Sequence, residues 1–202
     1  LRENGVEVIE CHTEIWGGIE DKSQVQGAAR KIRLLVRWLL AYPSLIARYL
    51  RLPAHDAVVV GYMGQLDVLV LWPFARLKGV PIVWDAFLSL YNTVVEDRRL
   101  VGPRNPAAWA LWALEWLACR AADIVILDTN AHGRYFVDTF GVEAAKVKRV
   151  FVGAEAELFT PRTDCERDPA RPFTVLFYGQ FIPLHGIETV VRAAKLTEAE
   201  RI

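Results

Sequence analysis

The chain has 202 residues, 53% hydrophobic and 24% charged, with 24 basic and 24 acidic residues and a formal net charge of zero. This balance excludes a disordered chain and argues against nucleic acid as a partner, because nucleic-acid binders concentrate basic charge. Three scattered cysteines, without a Cys-x-x-Cys pair, indicate reduced thiols in a cytoplasmic protein. No apolar run is long enough to span a bilayer.

Both ends of the chain are expected to be cut from a longer protein. Residues 1–5 are typical of the last turn of a helix with a glycine stop, and they lead directly into a predicted strand at residues 6–11. At the other end, the chain stops just after a predicted helix that ends near Leu196. We therefore expect the first strand of the first domain to be missing and the second domain to be truncated.

The segment from Lys22 to His55 has no acidic residue and interleaves arginines with large apolar and aromatic side chains. Pro43 is expected to divide it into two helices. Two interpretations of residues 30–51 stay open. Either they are two helices of the domain with solvated Arg heads, or their basic, aromatic face lies on an anionic membrane surface.

After Pro53, short apolar runs alternate with helical patterns. The predicted strands are 57–62, 81–87, 124–127 and 147–152, and the predicted helices are 65–78, 105–122 and 130–140. Trp109, Trp112 and Trp116 recur at i, i+3 and i+7 and are predicted to pack in the core. The alternation predicts a parallel sheet with helices on both faces, whose ligands bind beyond the carboxyl ends of the strands.

Residues 173–196 repeat this pattern once more. They combine a predicted strand at 173–178, a turn at Gly179, and a helix that begins near His185 or Gly186. Positions 187, 190, 191 and 194 form an apolar stripe that is expected to face a sheet. Free backbone N–H groups and the helix dipole make such a turn a place for an anion. We therefore predict a domain at residues 1–160, a Pro-rich, charged linker at 161–172, and the start of a second domain at 173–202.

The stretch Tyr178-Gly-Gln-Phe-Ile-Pro-Leu-His-Gly-Ile-Glu-Thr-Val-Val-Arg-Ala-Ala194 resembles the start of the second domain in family 4, or group 1, glycosyltransferases. In that family a Gly-Arg pair is followed by Lys-Gly and a helix, and the two cations meet the donor's diphosphate. Here Gln180 and His185 stand at the two cationic positions. The resemblance thus implies donor binding by Gly179, Gln180, His185 and Gly186, aided by the helix terminus and a protonated His185.

A second stretch similar to the family follows the strand predicted at 81–87. There the family commonly ends the strand in a His or His-Asp that faces the sugar, and Asp85 occupies about that place. The resemblance implies a catalytic role for Asp85 and acceptor binding by Ser89, Tyr91 and Asn92, whose polar groups match sugar hydroxyls. The alternative is a loop whose polar residues cap one another.

Two weaker stretches keep the order and spacing of the family. Asp123 precedes the strand at 124–127 and is predicted to be structural. Asp128 or Thr129 follows that strand and either reaches the cleft or caps the next helix, with capping favoured. The strand at 147–152 resembles one that ends in Pro-Asn-Gly-Val-Asp, with Glu155 in place of the Asp.

The resemblance implies an α/β protein of GT-B type, in which a Rossmann-like acceptor-side domain is followed by a Rossmann-like donor-side domain. The expected activity is that of a hexosyl- or related glycosyltransferase. It moves a sugar from a nucleotide-sugar to a sugar, lipid-linked or small-molecule acceptor, with retention and without a metal or other cofactor. The paired glutamates of the family would lie beyond Ile202, so the chain alone is expected to be inactive. We expect a cytoplasmic protein, with contact to the inner membrane face as an open possibility.

Several other chemistries lack their motif in this chain. It has no Gly-x-x-x-x-Gly-Lys-Ser/Thr, Gly-x-Gly-x-x-Gly, Gly-x-Ser-x-Gly or Asp-x-Asp pattern, and its four histidines are scattered. The main alternative is a non-catalytic α/β module that docks on a membrane or a protein through its basic helices. A sugar-nucleotide epimerase of the same architecture is a third hypothesis.

Overall fold

The structure is a computed structural model, which describes residues 2–13, 28–155, 157–160, 174–179 and 185–200. Its helices are α1 (Ala28–Leu50), α2 (Gln65–Lys78), α3 (Pro106–Ala121), α4 (Asn130–Phe140) and α5 (Ile187–Glu200), and its strands are β1 (Val58–Val60), β2 (Ile82–Phe87), β3 (Ile124–Leu127) and β4 (Val147–Arg149). The four strands form one sheet in the order β1-β2-β3-β4, and every pair is parallel. The predicted α/β class with a parallel sheet is confirmed.

Caps encoded in the sequence set the helix ends. The carboxyl ends of α2 and α4 are closed by Gly79 and Gly141, both in the left-handed conformation that glycine adopts without strain. At the amino ends, the Asn105 side chain accepts from Ala107 N ahead of α3, and Thr129 caps α4. These local signals explain why the predicted bounds of α2 and α4 agree with the structure.

The core lies between the sheet and the helices that connect its strands. Trp84 of β2, Leu127 of β3 and Phe136 of α4 are fully buried there, and the Trp84 and Phe136 rings meet edge to face. The thiol of Cys119 on α3 is buried in the same cluster. Burial raises the pKa of this thiol, and the nearby carboxylate of Glu115 adds to the shift.

The helices α2, α3 and α4 lie side by side on one face of the sheet, since α2 packs on α3 and α3 packs on α4. Along β2, residues 82, 84 and 86 are buried beneath them, whereas Val83, Asp85 and Phe87 point to the other face and are partly exposed. Helices had been expected on both faces. Asp85 therefore lies on the less covered face of the sheet.

Asp123 has a structural role, as predicted, because its side chain links a helix to a strand. One of its carboxylate oxygens accepts from the Arg76 guanidinium of α2 at 2.8 Å, and the other accepts from the backbone N–H of Ile82 at 2.9 Å. The side chain thus ties the carboxyl end of α2 to the start of β2.

The strand predicted at residues 6–11 is wrong. Residues 6–13 belong to no strand, and β1 is the edge of the sheet among the described residues. A cavity of about 690 Å³ is lined by both this segment and β1. An alternating sequence forms a strand only where a neighbour pairs with its backbone. Glu10 of this segment instead forms an exposed ion pair with Arg2, and the His12 carbonyl accepts a hydrogen bond from Arg48 of α1.

Two predictions inside helices are also wrong. Pro43 does not divide the basic segment, because α1 runs continuously from Ala28 to Leu50 with Pro43 inside it. Trp109 is not a core residue, since it is 71% exposed, whereas Trp112 and Trp116 stack on each other and pack against the core. The three positions share one side of the helix, and Trp109 lies furthest around it from the line of buried residues Ala108, Glu115 and Cys119.

The last two predicted strands also differ from the structure. β4 ends at Arg149, and the exposed residues 150–152 do not continue it. Residues 174–178 form no strand, and Tyr178 is 95% exposed. The stripe of α5 does not face a sheet either, because Val191 is exposed. An apolar run becomes a buried strand only when neighbouring strands flank it, and the described residues supply none here.

None of the helices in the described part of the chain is both long and apolar enough to cross a membrane.

Candidate functional site at the carboxyl edge of the sheet

All four strands are parallel, so their carboxyl ends and the loops that follow lie along one edge of the sheet. The segments at this edge are the turn 61–64 after β1, the loop 88–105 after β2, residues 128–129 after β3, and residues 150–155 after β4. We call residues 88–105 the β2–α3 loop. In open α/β sheets this edge is where ligands bind.

The turn after β1 brings a helix amino terminus to this edge within four residues. A Cβ on Gly64 would lie 2.4 Å from the Val60 side chain and 2.6 Å from the Gly61 carbonyl oxygen, so only glycine fits there. Met63 in the same turn has φ +64°, although it is not glycine. This turn was not predicted to be part of the site, although the pattern Gly-x-x-Gly between a predicted strand and a predicted helix is visible in the sequence.

Asp85 lies two residues before the end of β2, at an irregular point of the strand. The register with β3 pairs Asp85 with Ile126 and Phe87 with Leu127, so the strand bulges between Asp85 and Phe87. The Asp85 carboxylate makes no hydrogen bond or ion pair within the described residues. Bulges commonly re-aim side chains next to active sites. The predicted catalytic residue is thus a partly exposed carboxylate at the carboxyl edge of the sheet.

The strand ends in a tight turn centred on Phe87. Leu88 N donates to the Ala86 carbonyl at 2.6 Å, and Phe87 has φ +60°. The Tyr62 ring from the β1 turn packs edge-on against Phe87. The non-glycine residues with positive φ in the described chain are Met63, Phe87 and Arg99. Met63 and Arg99 lie in two of the segments at the carboxyl edge, and Phe87 is the last residue of β2. Backbone strain of this kind clusters at functional sites.

The first part of the β2–α3 loop is held in place by hydrogen bonds to the carboxylate of Glu115, a buried residue of α3. This carboxylate is 0% exposed and accepts from Ser89 Oγ at 2.7 Å, Leu90 N at 2.9 Å and Tyr91 N at 3.0 Å. Ser89 is itself buried and also accepts from Asn92 N at 3.0 Å. The Ser89 hydroxyl, predicted to bind the acceptor, is therefore committed to Glu115.

Burial raises the pKa of Glu115, and the hydrogen bonds from Tyr91, Ser89 and Leu90 oppose that rise. The Gln65 side chain of α2 also faces the carboxylate, although its amide nitrogen has no hydrogen-bond partner in the described part of the chain. Glu115 was not predicted from the sequence. The available signal was a single acidic residue in helix α3, whose one other charged residue is Arg120 in the last turn.

A second anchor holds the next turn of the β2–α3 loop, which is a π-helix over Asn92–Asp97. Glu96 accepts from Asn92 Nδ2 at 2.6 Å and from the Tyr135 hydroxyl of α4 at 2.8 Å. Burial raises the pKa of Tyr135, so the phenol remains a hydrogen-bond donor. π-Helical turns are rare and frequently occur at functional sites. Asn92 thus lies on an ordered, partly exposed part of the loop.

The aromatic ring of Tyr91 is a contact between the loop and the helix layer. It packs edge to face against Phe140 of α4, and its backbone N–H is held by Glu115. The four residues predicted to act at this edge lie at the end of β2 and in the β2–α3 loop, as expected: Asp85, Ser89, Tyr91 and Asn92. They differ in how accessible their polar groups are to a ligand. The carboxylate of Asp85 and the side-chain amide of Asn92 are the partly exposed groups.

After β3, the capping role that was favoured for Thr129 is confirmed. Thr129 Oγ1 accepts from His132 N at 3.2 Å, and the Asp128 carboxylate bonds the His132 ring. Both side chains are therefore engaged with the first turn of α4. Across the described ranges, no three His, Cys, Asp or Glu side chains come together as a metal site.

The predicted donor-binding residues lie before α5, and we call residues 179 and 185–186 the α5 turn. A Cβ on Gly179 would lie 2.8 Å from the His185 ring nitrogen Nδ1, so the absent side chain lets this ring approach the backbone. Gly186 has φ +60°, and its carbonyl accepts from Thr189 N at 2.9 Å, which starts the helix. The turn therefore places Gly179, His185 and Gly186 together at a helix amino terminus. Gln180 lies outside the described residues.

An α/β domain with a four-stranded, all-parallel sheet is consistent with a Rossmann-like fold. The family model of the glycosyl transferase 4-like domain matches residues 1–153. The chain belongs to this family, and glycosyl transfer is the general activity that the family implies. No curated protein matches the chain.

Proposed function

We propose that the protein transfers a sugar from a nucleotide-sugar to a hydroxyl of a sugar, lipid-linked or small-molecule acceptor, with retention and without a metal ion. The observation that carries the proposal is Asp85, an unpartnered carboxylate within the described chain, at the carboxyl edge of a glycosyl transferase 4-like domain. The bond from C1 of the sugar to the diphosphate breaks, and a bond from C1 to the acceptor oxygen forms. The acceptor proton leaves with the nucleoside diphosphate.

In this proposal Asp85 accepts a hydrogen bond from a hydroxyl at the reaction centre, and Asn92 binds the acceptor from the β2–α3 loop. A carboxylate and an amide offer the acceptors and donors that a polyol requires. Tyr91 forms the wall of the acceptor site, and Ser89 acts indirectly by bonding the Asn92 backbone.

The leaving diphosphate is stabilised at the α5 turn. Free N–H groups at the start of α5 and the positive end of its dipole favour an anion, and His185 with Gln180 adds polar contacts. Stabilising the charge that develops on the leaving group is a form of electrostatic catalysis, which needs no metal when the donors are fixed in advance.

The direct test is a transfer assay on the full-length protein with a panel of nucleotide-sugars and acceptors. Asp85→Asn is expected to lower kcat about 100-fold, the order contributed by a positioned catalytic side chain. Asp138→Asn, an exposed aspartate on α4, is the matched control and should retain full activity. A glycoside product supports the proposal, whereas release of an epimerised sugar-nucleotide supports the epimerase instead.

The donor site is tested separately by binding. Nucleotide-sugars should raise the melting temperature of the protein, because a ligand that binds only the folded state stabilises it. His185→Ala should reduce that shift, and His12→Ala, a change at another exposed histidine, should not. Absence of any shift with every nucleotide-sugar would contradict donor binding.

A second candidate function rests on α1. Val36, Leu39 and Leu40 are all exposed and fall at i, i+3 and i+4, so they form one apolar stripe on this helix. In a basic segment such a stripe favours docking on an anionic membrane surface, whether or not the domain is catalytic.

Sedimentation with vesicles tests this second candidate. The protein should bind vesicles that contain anionic lipid and should bind neutral vesicles less, and Leu39→Ser with Leu40→Ser should abolish the binding. Leu77→Ser, at an exposed leucine on α2, is the control. Equal sedimentation of all variants would contradict membrane docking and leave protein docking as the alternative.

A further inference from the structure

We propose that Glu115 is a positioning residue that sets the conformation of the β2–α3 loop and thereby selects the acceptor without influencing the donor. The inference rests on the proposed transferase function. Glu115 is buried beneath the β2–α3 loop and acts only through that loop, which lies at the carboxyl edge of the sheet.

The carboxylate of Glu115 accepts hydrogen bonds from three consecutive residues of the loop. Ser89 Oγ, Leu90 N and Tyr91 N all donate to Glu115 within 2.7 to 3.0 Å. Three donors in succession fix both the path of the backbone and its orientation relative to α3. Ser89 extends this control by one residue, because its oxygen also accepts from Asn92 N.

Stability alone does not account for a carboxylate at this position. Burial of Glu115 penalises its charged form, as its raised pKa shows, and its neighbours on α3 are apolar. Replacing a buried charge by a well-packed apolar residue is often neutral or stabilising, provided that its partners need no replacement. Here the partners are backbone N–H groups of the loop. The carboxylate therefore fixes one loop conformation that an apolar residue would leave undetermined.

The position of the loop makes the effect selective. The β2–α3 loop begins directly after Asp85 and the strained turn at Phe87, and it carries Tyr91 and Asn92. The predicted donor contacts come from the α5 turn, which is a separate stretch of chain. A shift of the loop should therefore alter acceptor binding and leave donor binding unchanged.

The experiment measures the KM of the acceptor and the KM of the donor separately in the full-length protein. Glu115→Leu is expected to raise the acceptor KM about tenfold, the equivalent of losing a hydrogen bond to a charged group. Glu115→Gln keeps one acceptor oxygen and should have a smaller effect. Ser89→Ala removes one of the three donors and should also raise the acceptor KM. The donor KM should stay constant throughout.

Glu143→Gln is the matched control, because Glu143 is exposed and its side chain caps no helix. Hydrogen exchange provides an independent measurement, in which the amides of Leu90 and Tyr91 should lose protection in Glu115→Leu and not in Glu143→Gln. If Glu115→Leu fails to fold, Ser89→Ala and Glu115→Gln still decide the question.

Each outcome has a definite meaning. An unchanged acceptor KM in an active Glu115 variant would overturn the inference and leave the transferase proposal intact. Equal rises in both KM values would show a general structural role and would also overturn it. If the wild-type protein transfers no sugar from any donor, the proposed function itself fails, and the inference fails with it.

Discussion

The β2–α3 loop and the α5 turn both follow the pattern of a strand leading towards a helix, yet they are built differently. The loop follows a buried strand, and two carboxylates, Glu115 and Glu96, tie it to the layer of helices. The described residues before the α5 turn, 174–178, form no strand, and α5 itself exposes Val191 and Leu196. A strand-turn-helix sequence thus acquires a fixed geometry only when a sheet and buried side chains surround it.

The largest expected difference between these two regions is the loss of unfolding free energy when a leucine in each is replaced by alanine. Leu127→Ala removes a side chain that is 1% exposed in β3 and should cost about 2–5 kcal/mol of unfolding free energy. Leu196→Ala removes one that is 64% exposed in α5 and should change it by less than about 0.5 kcal/mol. Urea denaturation measures both values. Similar losses in the two variants would show that α5 packs as tightly as the sheet.

A smaller effect should come from the pH dependence of the anchored loop. Glu115 has a folded-state pKa above its ordinary value of 4.5, mainly because of burial. As pH rises from about 4.5 towards that raised pKa, the unfolded chain loses this proton before the folded chain does, so unfolding becomes easier. Above the raised pKa the penalty stays constant.

The measurement compares the unfolding free energy of the wild type with that of Glu115→Gln across this range. The wild type should lose stability relative to the variant as pH rises, and the difference should then level off. Tyr62 and Cys119, the titratable neighbours of Glu115, have raised pKa values and stay neutral in this range. Parallel curves for the two proteins would contradict the assignment of a raised pKa to Glu115.

The smallest effect should come from Gly179→Ala, which probes the α5 turn. The added Cβ would meet the His185 ring at 2.8 Å, so the ring must move, while the loosely packed surroundings limit the loss of stability to about 1 kcal/mol or less. The NMR signals of the His185 ring should shift. Gly102→Ala is the control, because nothing lies within 4 Å of its Cβ position. Unchanged His185 signals would show that the ring and Gly179 are not in contact.

Much of the sheet could be predicted from the sequence, because local signals there agree with the tertiary structure. Gly79 and Gly141 stop α2 and α4, Thr129 and Asn105 start helices, and β3 is a short β-branched run. Such caps act within a few residues, so they can be identified from the sequence without knowledge of the fold. The predicted positions of α2, β2, β3 and α4 follow from these signals.

The missed features depend on distant partners. The segment 6–11 alternates like a strand but pairs with no strand among the described residues, and Trp109 matches a helical period but falls outside the buried arc. Glu115 accepts hydrogen bonds from residues that lie 24 to 26 positions earlier in the chain. Sequence periodicity does not specify which loop a buried carboxylate will meet. The roles of Asp85, Asn92, Gln180 and His185 stay predictions until donor and acceptor are tested.

The buried thiol of Cys119 has a practical consequence for measuring motion in this domain. Thiol reagents attack the thiolate, and burial both shields this sulfur and raises its pKa, so Cys119 can react only when α3 separates from the sheet. Cys11 is partly exposed and provides the rapid reference within the same molecule. The ratio of the two labelling rates, followed by mass spectrometry, would therefore report how often the helix layer beneath the β2–α3 loop opens.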